Sequence, residues 1–393
     1  MSRSVLLLTL VVLLAPRPAR AEDDDPKLRN RPLSEWLQML REDPSPERRR
    51  AAMVAAELIG PVKSPKVVSA VIAVLRDDAD EKLREAAAAS LGRMSERLAN
   101  RPAGEKTPFT AGRDALVGAM RTDKSVRVRT AAATSLGKLE KSDATGAVPD
   151  LGAVVGSGDS PPPVRAAAAD ALRRIGPEAA EAVPQLKQAL ADRTADEPTR
   201  TRAAQALGNI GGEPALDALP TLLATLGDAQ APVEVVRAVA ETVGRLGPDA
   251  AEAAPRLGEL LTAKTSDLEL RRAAGAALDH FGAEARPALP ALRKALQDDD
   301  RFVRSLSLHV IGQMGTTLGS EARPTVAAVL ACAGDRVVEV RVAAVETVSS
   351  LGAEALGPDL AAARERLREA TRDGSKAVRD AAEVALKKLG PAP

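Results

Sequence analysis

Val164-Arg165-Ala166-Ala167-Ala168-Ala169-Asp170-Ala171-Leu172-Arg173-Arg174-Ile175-Gly176 is the stretch that decides the fold. Val164, Ala168, Leu172 and Ile175 recur at three- and four-residue steps, which places them in one apolar stripe of a helix. Gly176 then stands where a helix C-cap needs positive φ. The pattern returns along the chain, its Arg place filled by Arg49, Arg84, Arg129, Arg165, Arg200, Val236, Arg271, Arg304, Arg341 and Arg379. The intervals are 33–38 residues, with one of 45. A fixed period of this length marks a solenoid, in which each unit is too small to bury its apolar face without neighbours.

Each copy predicts a second helix upstream of the Arg. Its mark is a proline followed two residues later by Leu, as in Pro184-Gln185-Leu186 and Pro290-Ala291-Leu292. Proline is tolerated in a first helical turn, where its missing donor costs nothing. The glycine eleven residues after the Arg recurs in eight copies; Ser95 and Glu140 replace it in the second and third. An acid stands six residues before the Arg in seven copies: Asp43, Asp78, Asp123, Asp159, Asp298, Asp335 and Asp373 precede Arg49, Arg84, Arg129, Arg165, Arg304, Arg341 and Arg379. The Asp falls in the turn and the Arg at the start of the following helix. Guanidinium donors can then bridge carboxylates within or between repeats, as a ladder. Thr194, Gln230 and Thr265 hold the acid's place in the fifth to seventh copies, an interruption that reads equally as a bend or as drift.

This turn-Asp and helix-Arg pairing resembles the HEAT-repeat family, over Pro32 to Gly390. The Ala-rich form is similar to the subgroup found in phycobilisome-lyase-type proteins. The resemblance implies an all-α, right-handed α-solenoid of about ten stacked helical hairpins, with the second helices lining the concave side. HEAT arrays mostly serve as scaffolds, and a fold does not fix a function.

The 393 residues carry 55 basic and 54 acidic side chains and almost no aromatics, so Ala, Leu, Val and Ile must build the core. Trp36, in the first helix, is expected to seal the N-terminal end of that core. Arg3, the apolar run Val5 to Ala15 and Ala19-Arg20-Ala21 read as a signal peptide over residues 1–21. Cleavage removes three arginines and no acid, leaving 52 basic residues against 54 acidic. Residues 22–31 would then be an acidic, flexible N-terminus and 32–393 the solenoid. The chain is expected to be exported to the periplasm or beyond, monomeric, and without stable membrane insertion. Cys332 is the only cysteine and its apolar setting makes it a core residue. Two breaker-rich stretches, 100–108 and 156–163, are surface loops that either touch a partner or reflect tolerance of insertions.

The chemistry of enzymes is sparse. Some HEAT-like enzymes, notably deoxyhypusine hydroxylases, hold iron with His-Glu pairs, but His280 and His309 are followed by Phe281 and Val310. Phosphate loops and a nucleophile elbow are missing from the sequence, and no cofactor or metal is expected. Near-neutral charge and few aromatics argue against nucleic acid. What remains is surface. Offsets plus one, plus five, plus eight and plus nine from the Arg face away from the core stripe. On them the partner-binding candidates are Arg174, Gln205, Asn209, Glu241, Arg245, His280 and His309, centred on the fifth to seventh repeats. The basic plus-nine row also reads as cations favoured at helix C-termini by the macrodipole. The expected function is a non-catalytic scaffold for a protein or peptide partner. A lyase-like, cofactor-handling protein and a structural envelope spacer are the alternatives.

Overall fold

The computed structural model describes residues 25–61, 64–99, 109–264 and 267–390. The predicted signal peptide and the 100–108 insertion lie outside these residues. Among them, every copy of the repeat forms a hairpin of two helices. The first helices are Leu33–Glu42, Lys66–Asp77, Thr110–Thr122, Val148–Gly156, Val183–Ala191, Leu219–Gly227, Ala254–Thr262, Leu289–Ala295, Ala322–Cys332 and Leu360–Ala370. The second helices are Pro46–Ile59, Glu81–Ala99, Val126–Leu136, Pro162–Ile175, Glu197–Ile210, Val233–Leu246, Leu268–Phe281, Arg301–Met314, Val338–Leu356 and Lys376–Lys388. Each second helix packs on the second helix of the next repeat, and the principal contacts join the same or adjacent repeats. The molecule is an all-α solenoid.

Small side chains make this stacking possible. Ala168, Leu172 and their equivalents in the first nine repeats are buried, Leu386 of the last is half-buried, and one apolar core runs the length of the array. Gly176 and Gly247 have φ of 76° and 70°, the left-handed conformation that ends their helices. Where Ser95 stands in that place, the helix instead continues to Ala99. In the third copy the helix stops at Leu136, before Glu140 is reached. The plus-eight offset does not face the open surface. A Cβ added at Gly244 would lie 2.9 Å from Ala277 Cα, and one at Gly137 2.6 Å from Ala171 Cα. Glycine there lets the next helix approach closely.

Where the Arg–Asp ladder is formed, it runs forward, from one repeat to the next. Arg49 holds Asp78 with Nε–Oδ2 and Nη2–Oδ1 both at 2.8 Å, while its Nη1 donates to the Asp43 carbonyl. Arg84 holds Asp123, Arg304 holds Asp335 and Arg341 holds Asp373 in the same two-pronged way. Arg271 reaches Asp298. Arg379, at the last repeat, caps the Asp373 carbonyl. The aspartates also fold their own turns: Asp78 Oδ1 accepts from the Asp80 amide at 2.9 Å. Burial would raise the carboxyls of Asp123 and Asp335, but the guanidinium and the turn amide outweigh it and hold both below the usual range.

Two expectations about this ladder are corrected. In the fourth to seventh repeats the first helix ends nine residues before the Arg place, against seven in the first three, so the extended residue that opens the turn stands at minus eight and not minus six. The turn acid is therefore not lost in the fifth and sixth repeats: Asp192 and Asp228 take its turn role, accepting from the amides of Thr194 and Gln230. Asp192 lies 3.6 Å from Arg165, and Asp228 pairs with Arg193 at 3.1 Å. Asp159, expected to join the ladder, sits inside the longer turn, exposed, and pairs with neither Arg129 nor Arg165. Arg129 turns back to the Met120 carbonyl at 2.9 Å. Thr265 lies outside the described residues.

The N-terminal segment also differs from expectation. From Asp25 onward it is folded. Lys27–Leu28 and Arg31–Pro32 pair as a short antiparallel ribbon, and the Asp25 carboxylate accepts from the Ser34 amide at 2.9 Å and from its hydroxyl. That satisfies a free donor of the first helical turn. Trp36 is half-buried against the core with the Arg31 guanidinium 4.7 Å above its ring. Cys332 is buried, and burial pushes its thiol up to about 11. Among the described residues no helix is long and apolar enough to cross a membrane.

Candidate functional site on the face of the second helices

The seven candidate residues share the face formed by the second helices, but they fall into separate groups. Asp170 takes Arg173 on one oxygen at 2.9 Å and Arg174 on the other at 3.0 Å. Burial would raise the Asp170 carboxyl, yet these two guanidiniums hold it low. Arg174 is thus partly committed within its own helix. Gln205 accepts from Arg202 at 2.9 Å. Asn209 donates to the Arg173 carbonyl at 3.1 Å and accepts from Arg245 at 2.6 Å, so it links the fourth, fifth and sixth repeats.

Glu241, Arg245 and His280 do come together. With Arg237, Glu269 and Arg272 they border a depression of about 380 Å³ between the second helices of repeats 6 and 7. Its remaining lining is Gly244, Ala273, Ala276 and Ala277. Small residues there leave the helix backbones open to close approach. Arg245 is exposed and bonded to a neutral amide, whereas Arg272 is tied to Asp300 at 2.8 Å and Glu269 at 2.9 Å. His309 stands one repeat further on, its Nε2 3.4 Å from Asp279 Oδ1, which also accepts from Gln313.

This depression lies at one of the steps that lack the ladder pair. Val236 stands in the Arg place of repeat 6 and is buried, and Ala263 stands in the turn-acid place of repeat 7. Donor and acceptor are both absent at this step.

Sequence reading did not single out Arg237, Glu269, Arg272 or Phe302. Phe302 is 52% exposed, with the guanidiniums of Arg272 and Arg301 4.8 and 4.9 Å from its ring centre. Its signal was available: in the neighbouring copies its offset, two before the Arg, holds Glu269 and Glu339. Among the described residues no group of three or more His, Cys, Asp or Glu is placed to hold a metal ion.

Comparison with known proteins agrees with this architecture. The profile of HEAT repeats matches residues 33–103, 148–233 and 183–279. Importin beta aligns with a TM-score of 0.58 at 19% identity, covering 91% of this chain and 51% of that one. The karyopherin Kap121p bound to the extreme C-terminus of the protein phosphatase Cdc14p aligns with a TM-score of 0.53 at 15% identity, covering 91% and 41%. Kap121p bound to Pho4p gives 0.55 at 14% identity. The chain thus spans about half the length of these proteins or less, and the likeness is one of fold. No curated protein sequence matches it. Repeat pattern, helical hairpins and matched profile together place the chain in the HEAT-repeat family.

Proposed function

We propose that this protein is a non-catalytic scaffold, exported from the cytoplasm, that binds a protein or peptide partner on the face of its second helices. The observation that carries the reading is the depression between repeats 6 and 7. Glu241, Arg245 and His280, all exposed, surround a floor of Gly244 and alanines there. A regular face of this kind offers one row of contacts per repeat, which suits recognition of an extended segment. The similar fold of Kap121p, solved with Pho4p and with the C-terminus of Cdc14p, supports partner binding as a use of such a fold. Export rests on the N-terminal Arg3, the apolar run and Ala19-Arg20-Ala21.

Affinity capture from an envelope fraction tests the proposal. Wild-type protein is expected to retain a partner that a folded Glu241→Lys/Arg245→Glu variant loses. Equal retention by both would remove the site from this depression.

A further inference from the structure

The second-helix face carries another groove, toward the N-terminal end of the array and of different character. Two adjoining depressions of about 350 and 410 Å³ run across the second helices of repeats 1 to 3 and reach Pro163 of repeat 4. They share Glu85, Ala89, Arg127 and Ala131, so they form one channel. Its cationic lining is Arg50, Lys82, Arg93, Arg127 and Lys138, against the single carboxylate Glu85. Two of the five are answered within the chain, Arg93 by Glu57 at 2.7 Å and Arg127 by Glu85 at 3.0 Å. Arg50, Lys82 and Lys138 pair with no carboxylate among the described residues. A chain whose total charge is +1 has therefore gathered surplus cations in one channel.

The channel also offers apolar surface. Val54 is 46% exposed and Val126 40%, and both line it. Leu58, one turn beyond Val54 on the same helix, is 60% exposed. Ala86, Ala89 and Ala131 keep the floor low. Uncompensated cations beside exposed aliphatic side chains complement a segment that carries both acids and apolar residues. No aromatic side chain lines the channel to stack a base, which favours peptide over nucleic acid.

We infer that the channel across repeats 1 to 3 is a docking site for an extended acidic peptide segment with interspersed apolar side chains. The inference rests on the reading of this face as a docking surface, but it assigns a site separate from the depression of repeats 6 and 7. Neighbouring helices lie about 8–10 Å apart. Crossing three such steps takes an extended chain of about nine residues, at about 3.3 Å each.

The test is fluorescence anisotropy of the full-length protein with a labelled peptide of about nine residues that alternates glutamate and leucine. Binding is expected, weakening as salt screens the exposed charges. Arg50→Glu/Lys82→Glu is expected to lower affinity about tenfold or more, and Val54→Ser to lower it without changing the salt dependence. Unchanged helical content and unfolding midpoint establish that each variant is folded, and Arg50→Gln/Lys82→Gln stands in if the reversal is not. Glu241→Lys/Arg245→Glu, in the other depression, is expected to leave peptide binding unchanged. Three results would overturn the inference: equal binding by the Arg50/Lys82 variants, equal binding of a lysine–leucine peptide, or tighter binding of a single-stranded oligonucleotide of equal charge. Any of these alongside partner capture through repeats 6 and 7 removes this site alone. Loss of that capture as well removes the docking face.

Discussion

Arg304 grips Asp335 of the following repeat through two hydrogen bonds, Nε–Oδ2 at 2.8 Å and Nη2–Oδ1 at 3.0 Å, while its Nη1 donates to the Asp298 carbonyl of its own turn at 2.7 Å. One side chain closes its turn and ties two repeats. Arg304 is 4% exposed and the Asp335 side chain 13%, so removal of the guanidinium strands a carboxylate that water reaches poorly. Arg304→Met is expected to lower unfolding free energy by about 2–3 kcal/mol. Arg245→Glu, an exposed change, should stay within about 0.5 kcal/mol. Urea titration of both variants checks the contrast.

Asp159 and Asp335 stand at the same offset from their arginines, yet only Asp335 is paired. Asp335→Asn is expected to cost about 1–2 kcal/mol, since one acceptor of a charged pair is lost. Asp159→Asn should change stability by less than about 0.5 kcal/mol. Equal losses at the two sites would show that the offset, and not the pairing, matters.

That contrast shows how far the sequence was legible. Period, helix ends and first-turn prolines are local signals, and Gly176 and Pro184 could be read directly. The ladder's direction was not legible, because a fixed offset within one repeat says nothing about which neighbour an arginine reaches. The acids of repeats 5 and 6 were missed for a related reason: two extra turn residues moved the active position to Asp192 and Asp228. On the second-helix face, Glu241, Arg245 and His280 were found by offset. Arg237 and Arg272, at the plus-one offset, and the channel of repeats 1 to 3 were not, since whether a surface cation is answered depends on carboxylates some 30 to 40 residues away, as with Arg93 and Glu57.

Acid should loosen the ladder. Asp123 and Asp335 have lower carboxyl pKa values folded than unfolded, because the paired arginine outweighs the burial that opposes it. A depressed folded value contributes stability that is present above the unfolded Asp value of about 3.9 and is lost as pH falls through the folded one. The unfolding midpoint is therefore expected to fall as pH drops below about 4. Arg304→Met should show a shallower fall, because its Asp335 no longer differs as much between the two states. Parallel curves for the two proteins would exclude Asp335 as a source of the acid sensitivity.

Export has its own test. If residues 1–21 form a signal, exported protein begins at Glu22, and intact mass or N-terminal sequencing of periplasmic or secreted material reads this directly. Soluble cytoplasmic protein that retains Met1 would contradict the localisation.

The central claim is that partners dock on the second-helix face. Site-specific photocrosslinking reads it most directly, with a photoreactive residue at exposed Ala276, in the depression of repeats 6 and 7, or at exposed Ala327, on a first helix. Protein adducts from Ala276 and few from Ala327 are the predicted result. Adducts confined to Ala327, or equal from both positions, would contradict it.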